Sequence, residues 1–193
     1  MLNYIHNNWI EIAGAILSLI YLYLSIHQKV SLWIFGFISS VLYVVVFMQS
    51  KLYADMSLQF YYVVISIYGW INWKFGKDEK GHELPIKRLN KKMIAKLIVA
   101  ALLIYVGYFV ILNYYTDSTV PKFDSMIGAL SVVATWMLAR KYIENWLVWI
   151  VADGLAIGLF IYKELYPTAV LFVVYTIMSV VGYRQWTKTL CRD

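Results

Sequence analysis

Apolar blocks of close to twenty residues follow one another along almost the whole sequence. A helix needs about twenty apolar residues to cross the hydrocarbon core of a bilayer, and only helices and closed barrels satisfy their backbone there. Barrel strands are short and alternating, whereas these blocks are continuous, so the sequence predicts an all-α integral membrane protein with seven transmembrane helices. The predicted spans are 9–26, 31–49, 53–73, 93–113, 124–139, 144–162 and 164–184.

Composition and charge agree with this interpretation and predict an orientation. The 193 residues are 62% hydrophobic and 15% charged, whereas soluble domains are about 45–50% apolar. The net charge of +6 is concentrated in one polar stretch, 74–92, which suits membrane topology better than nucleic-acid binding. Cytoplasmic loops carry the lysine and arginine excess, so this loop is predicted to be cytoplasmic. Counting spans then predicts a multi-pass protein of the bacterial inner membrane, with its amino terminus outside and its carboxy terminus in the cytoplasm.

The first and last thirds of the chain repeat each other at a constant offset. The matching pairs include Trp33 with Trp146, Tyr62 with Tyr175, Ser66 with Ser179, Gly69 with Gly182 and Trp73 with Trp186. Each repeat holds three predicted helices, and one linker helix between them makes both repeats face the same way. The predicted parts are a first repeat at 1–73, a cytoplasmic basic loop at 74–92, the linker helix and an outer loop at 93–123, and a second repeat with a tail at 124–193. Such parallel 3+1+3 repeats occur in SWEET-like carriers, whose substrates bind near the midplane between repeats.

Asp153 is the outstanding candidate for binding. It lies about nine residues beyond the predicted cytoplasmic end of its helix, which is roughly 14 Å deep at 1.5 Å per residue. A carboxyl group at that depth is costly unless it faces a wet cavity or a partner, and the predicted spans offer no embedded lysine or arginine. Asp153 is therefore either a ligand-facing acid that attracts a cation or a protonated group that hydrogen-bonds between helices.

Two tryptophans precede this acid on the same helix. Trp149 and Asp153 are four residues apart and share a helix face. An indole face beside a carboxylate can bind a flat cation through cation–π attraction and stacking. Trp146 lies nearer the predicted helix start, so it is either a further lining residue or an aromatic anchor at the membrane interface.

The third predicted helix carries a polar stripe. Gln59, Tyr62, Ser66 and Gly69 follow three- and four-residue spacing, and a polar stripe on a lipid-embedded helix faces protein or water. Its alternative role is hydrogen bonding between helices. The further candidate lining residues are Ser39, Trp70 and Tyr175.

The sequence contains no motif for a cofactor, metal or catalytic group. It has no G-x-x-x-x-G-K-[ST] or H-E-x-x-H pattern, and its one cysteine allows no disulfide within the chain. An intramembrane enzyme that uses Asp153 would need a second catalytic group, and none is evident. The short cytoplasmic segments leave little room for the signalling domain of a non-transporting receptor. We therefore expect a transporter, with a membrane receptor for the same ligand as the alternative.

The chain resembles the nicotinamide riboside transporter family, PnuC type, over nearly its whole length. The resemblance is carried by Phe35-Gly36, by Leu52-Tyr53-Ala54 with Gln59, by Tyr68-Gly69-Trp70 with Trp73, by Asp124-Ser125, and by the segment 140–149 with Asp153. The block W-x-x-W, followed four residues later by Asn or Asp, is the most specific of these. The resemblance implies a SWEET-like fold, a homotrimer, facilitated diffusion, and trapping of the vitamin by a cytosolic kinase. It also implies that Trp146, Trp149, Gln59 and Asp153 bind the substrate.

Two departures from the family pattern leave the substrate open. Asp153 stands where members that carry the type substrate have asparagine, and Ser39 stands near a second asparagine of that pattern. A subgroup of the family is similar to thiamine carriers. Thiamine and nicotinamide riboside are both flat cationic rings, so the sequence predicts uptake of one of these two vitamins.

Overall fold

Seven α-helices lie in the residues that the structure describes. The computed structural model describes residues 9–49, 53–77 and 84–191. In these residues it has no strand, although an isolated bridge joins Lys87 and Tyr142. The helices are α1 Trp9–Ile26, α2 Leu32–Gln49, α3 Tyr53–Phe75, α4 Lys91–Tyr115, α5 Pro121–Ala139, α6 Asn145–Tyr162 and α7 Tyr166–Leu190. The seven predicted helices are thereby confirmed. Helix α7 continues to Leu190, beyond its predicted end at 184. The predicted end was the end of the apolar run, and the helix is longer than that run.

The helices form two groups of three, with α4 beside them. Helix α2 packs against both α1 and α3, and α6 packs against both α5 and α7. The groups meet where α1 packs on α7 and where α3 packs on α5, while α4 packs mainly on α5 and has no buried residue.

Large apolar side chains cover the outside of the bundle. Leu103, Phe60 and Val170 are each more than 60% exposed. Helices α4, α6 and α7 are long and apolar enough to cross a membrane. A soluble monomer rarely exposes so much contiguous apolar surface, and this distribution is what helices that face lipid require.

Four tryptophans form the core at one end of the bundle. We call this end, which holds the turns 27–31 and 140–144, the hinge end, and the four residues the tryptophan cluster: Trp33, Trp73, Trp146 and Trp186, all at most 5% exposed. Trp33 meets Trp73 edge to face at 5.7 Å, and Trp146 meets Trp186 in the same way at 5.6 Å. Trp73 and Trp186 then contact each other at 6.2 Å between the two groups.

The glycines beside this cluster explain how the rings fit. A Cβ atom on Gly69 would overlap the indole of Trp33, and one on Gly182 would overlap the indole of Trp146. Both glycines lie on the last helix of a group, and both tryptophans lie on the middle helix. The packing at this end therefore follows the sequence repeat residue by residue.

The second half of the basic loop lies against the hinge end. Lys87 accepts a hydrogen bond from Ile143 N and donates one to Lys141 O, at 3.1 and 3.0 Å. Leu89 N donates to the Glu144 carboxylate at 3.1 Å, and Ile86 is 6% exposed. We call residues 84–90 the strap, because they hold the turn between α5 and α6.

Candidate functional site

A cavity of about 320 Å³ lies between the two groups of helices. Its lining comes from α1, α2 and α3 on one side and from α5, α6 and α7 on the other, with no contribution from α4. Seven of the eight site residues proposed from sequence line it: Ser39, Gln59, Tyr62, Trp146, Trp149, Asp153 and Tyr175. The structure thus brings together side chains that are far apart in the sequence.

Trp70 does not line the cavity, which corrects its interpretation as a lining residue. Its ring contacts the Lys74 ammonium at 4.6 Å and the Phe75 ring at 5.8 Å. Trp70 lies one helical turn beyond Ser66 toward the hinge end. At that depth the tryptophan cluster fills the interior, so the space needed for a ligand is absent.

Asp153 is the one acidic side chain among the described lining residues. It is 3% exposed and hydrogen-bonded to Ser179 of α7. The described part of the lining contains no lysine, arginine or histidine, so no cation of the protein faces the acid in the cavity. The bond to Ser179 makes Asp153 a contact between helices as well, so its geometry is compatible with both sequence interpretations, and its role in ligand binding stays a prediction.

The two tryptophans of α6 have different surroundings. Trp149 is partly exposed and faces the cavity beside Asp153. Trp146 is 2% exposed and packs on Gly182 and Trp186, which is no position for an anchor at a lipid interface. Its indole N–H has no partner among the described residues, but neither has that of Trp33. Because Trp33 lies outside the cavity, the unpaired N–H of Trp146 is a shared feature of the repeat and not by itself a sign of a ligand.

Two tyrosine–serine pairs join the groups across the cavity. Tyr175 on α7 is hydrogen-bonded to Ser18 on α1, and Tyr62 on α3 is hydrogen-bonded to Ser131 on α5. Residues 18 and 62 correspond to 131 and 175 at the offset of the repeat. Each group therefore supplies one hydroxyl to each pair, and the polar stripe of α3 both lines the cavity and bonds between helices.

The two repeats differ at the positions of Trp149 and Asp153, the indole and the carboxylate of the cavity. Trp149 corresponds to Gly36, and Asp153 corresponds to Ser40, and all four line the cavity. One wall thus presents an indole and a carboxylate, while the other presents a glycine without a side chain and a hydroxyl. The two walls therefore suit different parts of an asymmetric ligand. The wall with Trp149 and Asp153 suits a flat cation, and the wall with Gly36 and Ser40 suits neutral polar groups.

Sequence reasoning missed four aromatic lining residues. The cavity is also lined by Tyr21, Phe35, Tyr43 and Phe172, but each lies in an apolar stretch that resembles a lipid-facing surface. Phe172 could have been found through the repeat, because it corresponds to Gln59.

Comparison with known proteins agrees with the fold. The sequence profile of the family described as nicotinamide mononucleotide transporter matches residues 8–188. The nicotinamide riboside transporter PnuC of Escherichia coli K12 is 26% identical over 206 aligned positions, covering 94% of this chain and 86% of that protein. The riboflavin/roseoflavin transporter RibM of Streptomyces davaonensis is 24% identical, covering 97% and 89%. The crystal structure of the vitamin B3 transporter PnuC matches with a TM-score of 0.75 and 27% identity, covering 96% of this chain and 83% of that one.

These relatives are vitamin carriers and not enzymes, in agreement with the function expected from the sequence. The profile match spans nearly the whole chain. The protein therefore belongs to the nicotinamide mononucleotide transporter family and is a membrane transporter.

Proposed function

We propose that the protein carries a vitamin with a cationic aromatic ring across the bacterial inner membrane by facilitated diffusion, with the cavity as its binding site. The observation that carries this proposal is the buried carboxyl of Asp153, which faces the same cavity as Trp149. A charged group in a membrane interior requires a partner, and the described lining supplies no cation. A cationic ligand would supply it.

Trp149 supports the choice of a flat cation. It is four residues before Asp153 on α6, so the indole face and the carboxylate meet the ligand from one side. A cation over an indole gains about 0.5–2 kcal/mol, with the larger values in desolvated sites. Gly36 and Ser40 occupy the corresponding positions of the first repeat, where hydroxyl groups of the same ligand would fit.

Two vitamins meet these requirements. Nicotinamide riboside is favoured by the names of relatives such as the Escherichia coli protein. Thiamine is favoured by Asp153 and Ser39, which depart from the asparagines that the resemblance leads one to expect. Because the carboxylate could bind both the ring cation and an aminopyrimidine amine, we take thiamine as the first candidate and nicotinamide riboside as the second.

The membrane arrangement proposed is two parallel three-helix repeats with α4 as the linker helix. All seven helices would span the bilayer, with the amino terminus outside and the hinge end and carboxy terminus in the cytoplasm. Repeat-related contacts at the tryptophan cluster support the parallel arrangement. The apolar surface of α4, which has no buried residue, supports further packing against lipid or against other subunits of a homotrimer.

The proposed mechanism is alternating access without energy coupling. The two repeats would rock about the cavity, and the vitamin would move down its gradient. Absence of a nucleotide-binding motif in the sequence supports this choice. A cytosolic kinase would make uptake one-way, because the phosphorylated vitamin carries added negative charge that the acidic cavity disfavours.

Uptake by proteoliposomes tests this proposal. We expect radiolabelled thiamine or nicotinamide riboside to equilibrate across the membrane without ATP or an ion gradient, and to accumulate only when the matching kinase and ATP are enclosed. Accumulation that depends on an ion gradient would contradict facilitated diffusion. Binding without any equilibration would favour the receptor alternative.

A further inference from the structure

The hinge end of the bundle is closed beneath the cavity by reciprocal hydrogen bonds. Trp73 Nε1 on α3 donates to Leu138 O and Ala139 O at the end of α5, at 3.3 and 3.2 Å. Trp186 Nε1 on α7 donates to Ser25 O and Ile26 O at the end of α1, both at 3.2 Å. Each group of helices thus donates one indole N–H to the end of a helix in the other group.

The acceptors explain why these bonds can be reversible. The last carbonyls of a helix have no partner within the helix, and the two indoles cap the ends of α1 and α5 from the opposite group. Ser25 O and Leu138 O keep a second partner in the following turns, because they also accept from Gln28 N at 3.1 Å and from Lys141 N at 2.9 Å. Water can take over this role when the bonds break, so that opening leaves no carbonyl without a partner. We call the hydrogen bonds from Trp73 and Trp186 to these carbonyls the latch. The latch stabilises the closed end, but the free-energy cost of breaking it stays small.

The latch is in direct contact with the cavity. Ser25 and Leu138, whose carbonyls accept the bonds, line the cavity, and so does Trp146, whose ring packs on Trp186. Beneath them lie side chains that are almost fully buried, including Leu32, Trp33 and Ala139. A ligand that leaves the cavity toward the hinge end must therefore pass between Trp73 and Trp186.

We propose that Trp73 and Trp186 form a gate: the cavity opens at the hinge end only when both indole N–H groups leave their carbonyl acceptors in the opposite repeat. This proposal rests on the transport function proposed above, but its test measures the opening of the cavity and does not measure transport. The two halves of the gate are unequal, because Asn72 Nδ2 also donates to Ala139 O, at 2.8 Å. Loss of the Trp186 bond should therefore open the gate further than loss of the Trp73 bond.

The experiment measures how fast a thiol at the cavity floor reacts from the hinge end. Ser25→Cys is introduced with Cys191→Ser, and a membrane-impermeant maleimide is added to sealed vesicles of each orientation. The native Cys191 is exposed just after α7 at the hinge end, so its labelling in a separate sample identifies which side that end faces. The gate variants are Trp73→Phe and Trp186→Phe, each of which removes one indole N–H.

Trp33→Phe is the matched control. Trp33 belongs to the same cluster and loses the same ring volume, but its N–H has no partner among the described residues. A net hydrogen bond changes an equilibrium about two- to tenfold, so we expect each gate variant to raise the labelling rate by that factor, with Trp186→Phe the larger. Trp33→Phe should leave the rate within twofold of the parent.

Equal effects of all three substitutions, or no effect of the gate variants, would overturn the proposal. If a phenylalanine variant does not elute as a folded protein, Asn72→Ala, which removes a donor outside the cluster, must raise the rate instead. Calorimetry with thiamine and with nicotinamide riboside on the parent separates the two proposals. Absence of binding in the calorimetry would contradict the proposed vitamin substrate. Unchanged labelling rates in the gate variants would contradict the proposed gate.

Discussion

Lys141 donates a hydrogen bond from its ammonium to the side-chain oxygen of Gln28 at 3.3 Å, and the two residues occupy the same position in the two repeats. Both adopt the left-handed backbone conformation, with φ of 55° and 54°, which costs an ordinary residue about 1–2 kcal/mol. The turns α1–α2 and α5–α6 are therefore the same strained turn, and they touch each other. Contact between equivalent residues supports the proposed relation between the two repeats.

The close approach of glycine to tryptophan predicts a pair of equal stability losses. Gly69→Ala and Gly182→Ala would each drive a methyl group into an indole, and overpacking of this kind costs about 1–3 kcal/mol. Gly158→Ala on α6 meets no atom within 4 Å and should be neutral or slightly stabilising. Thermal unfolding in detergent should lower the melting temperature of the first two variants alone; an equal effect at Gly158 would refute the packing explanation.

Trp149 and Trp70 form a matched pair for the binding site. Trp149→Ala removes the indole from the cavity and should weaken vitamin binding by about 1–2 kcal/mol, which is roughly five- to thirtyfold. Trp70→Ala removes an indole that lies on Lys74 and Phe75 and should leave affinity within twofold. Calorimetric titration of both variants provides the measurement, and a larger loss at Trp70 would move the site away from this cavity.

Gly36 should control the size of ligand that the cavity accepts. A Cβ atom there would lie 3.1 Å from the Tyr21 ring and 3.2 Å from Ser66 Oγ, so Gly36→Ala pushes lining side chains inward by a few tenths of an ångström. We expect affinity to fall several-fold while the melting temperature changes little. Gly154→Ala, one residue from Asp153 but with no atom near its added methyl group, is the control. Unchanged affinity in Gly36→Ala would show that the ligand does not reach the wall formed by the first repeat.

The strap should contribute to stability although it belongs to a charged loop. Ile86 is 6% exposed and packs in the core at the hinge end, so Ile86→Ala is expected to cost about 2–4 kcal/mol. Ile94→Ala, on the exposed surface of α4, should cost much less. Melting curves of the two variants test this, and a small effect at Ile86 would mean that the strap is held by its backbone bonds alone.

The sequence predicted the helices well because the signal for them is local. Apolar runs predicted α1 to α7, and the offset between Trp73 and Trp186 predicted a repeat before any contact was known. Seven candidate lining residues could likewise be found from polar or aromatic groups in apolar runs. Their role in binding stays a prediction.

Which side chains line the cavity could not be fully predicted, because this depends on the rotation of each helix about its axis and on the depth of each residue in the bundle. Neither is evident from the local sequence. Trp70 and Trp149 look alike in sequence, but the tryptophan cluster fills the interior at the depth of Trp70 and leaves it open at Trp149. Tyr21 and Tyr43 have no feature in the sequence that distinguishes a cavity wall from a lipid-facing surface. The basic loop was predicted only to be cytoplasmic, and the burial of Ile86 within it could be seen only from the packing.

Calorimetric titration of the purified protein and of Asp153→Asn with thiamine tests the central proposal most directly, with riboflavin as an uncharged comparison. Asparagine keeps the shape and the capacity to bond Ser179 but removes the charge. We expect the unmodified protein to bind thiamine and the variant to lose at least about tenfold in affinity, or 1.4 kcal/mol, while any riboflavin binding changes little. Equal thiamine affinity in the two proteins, or loss of riboflavin binding to the same extent, would contradict recognition of a cation by Asp153.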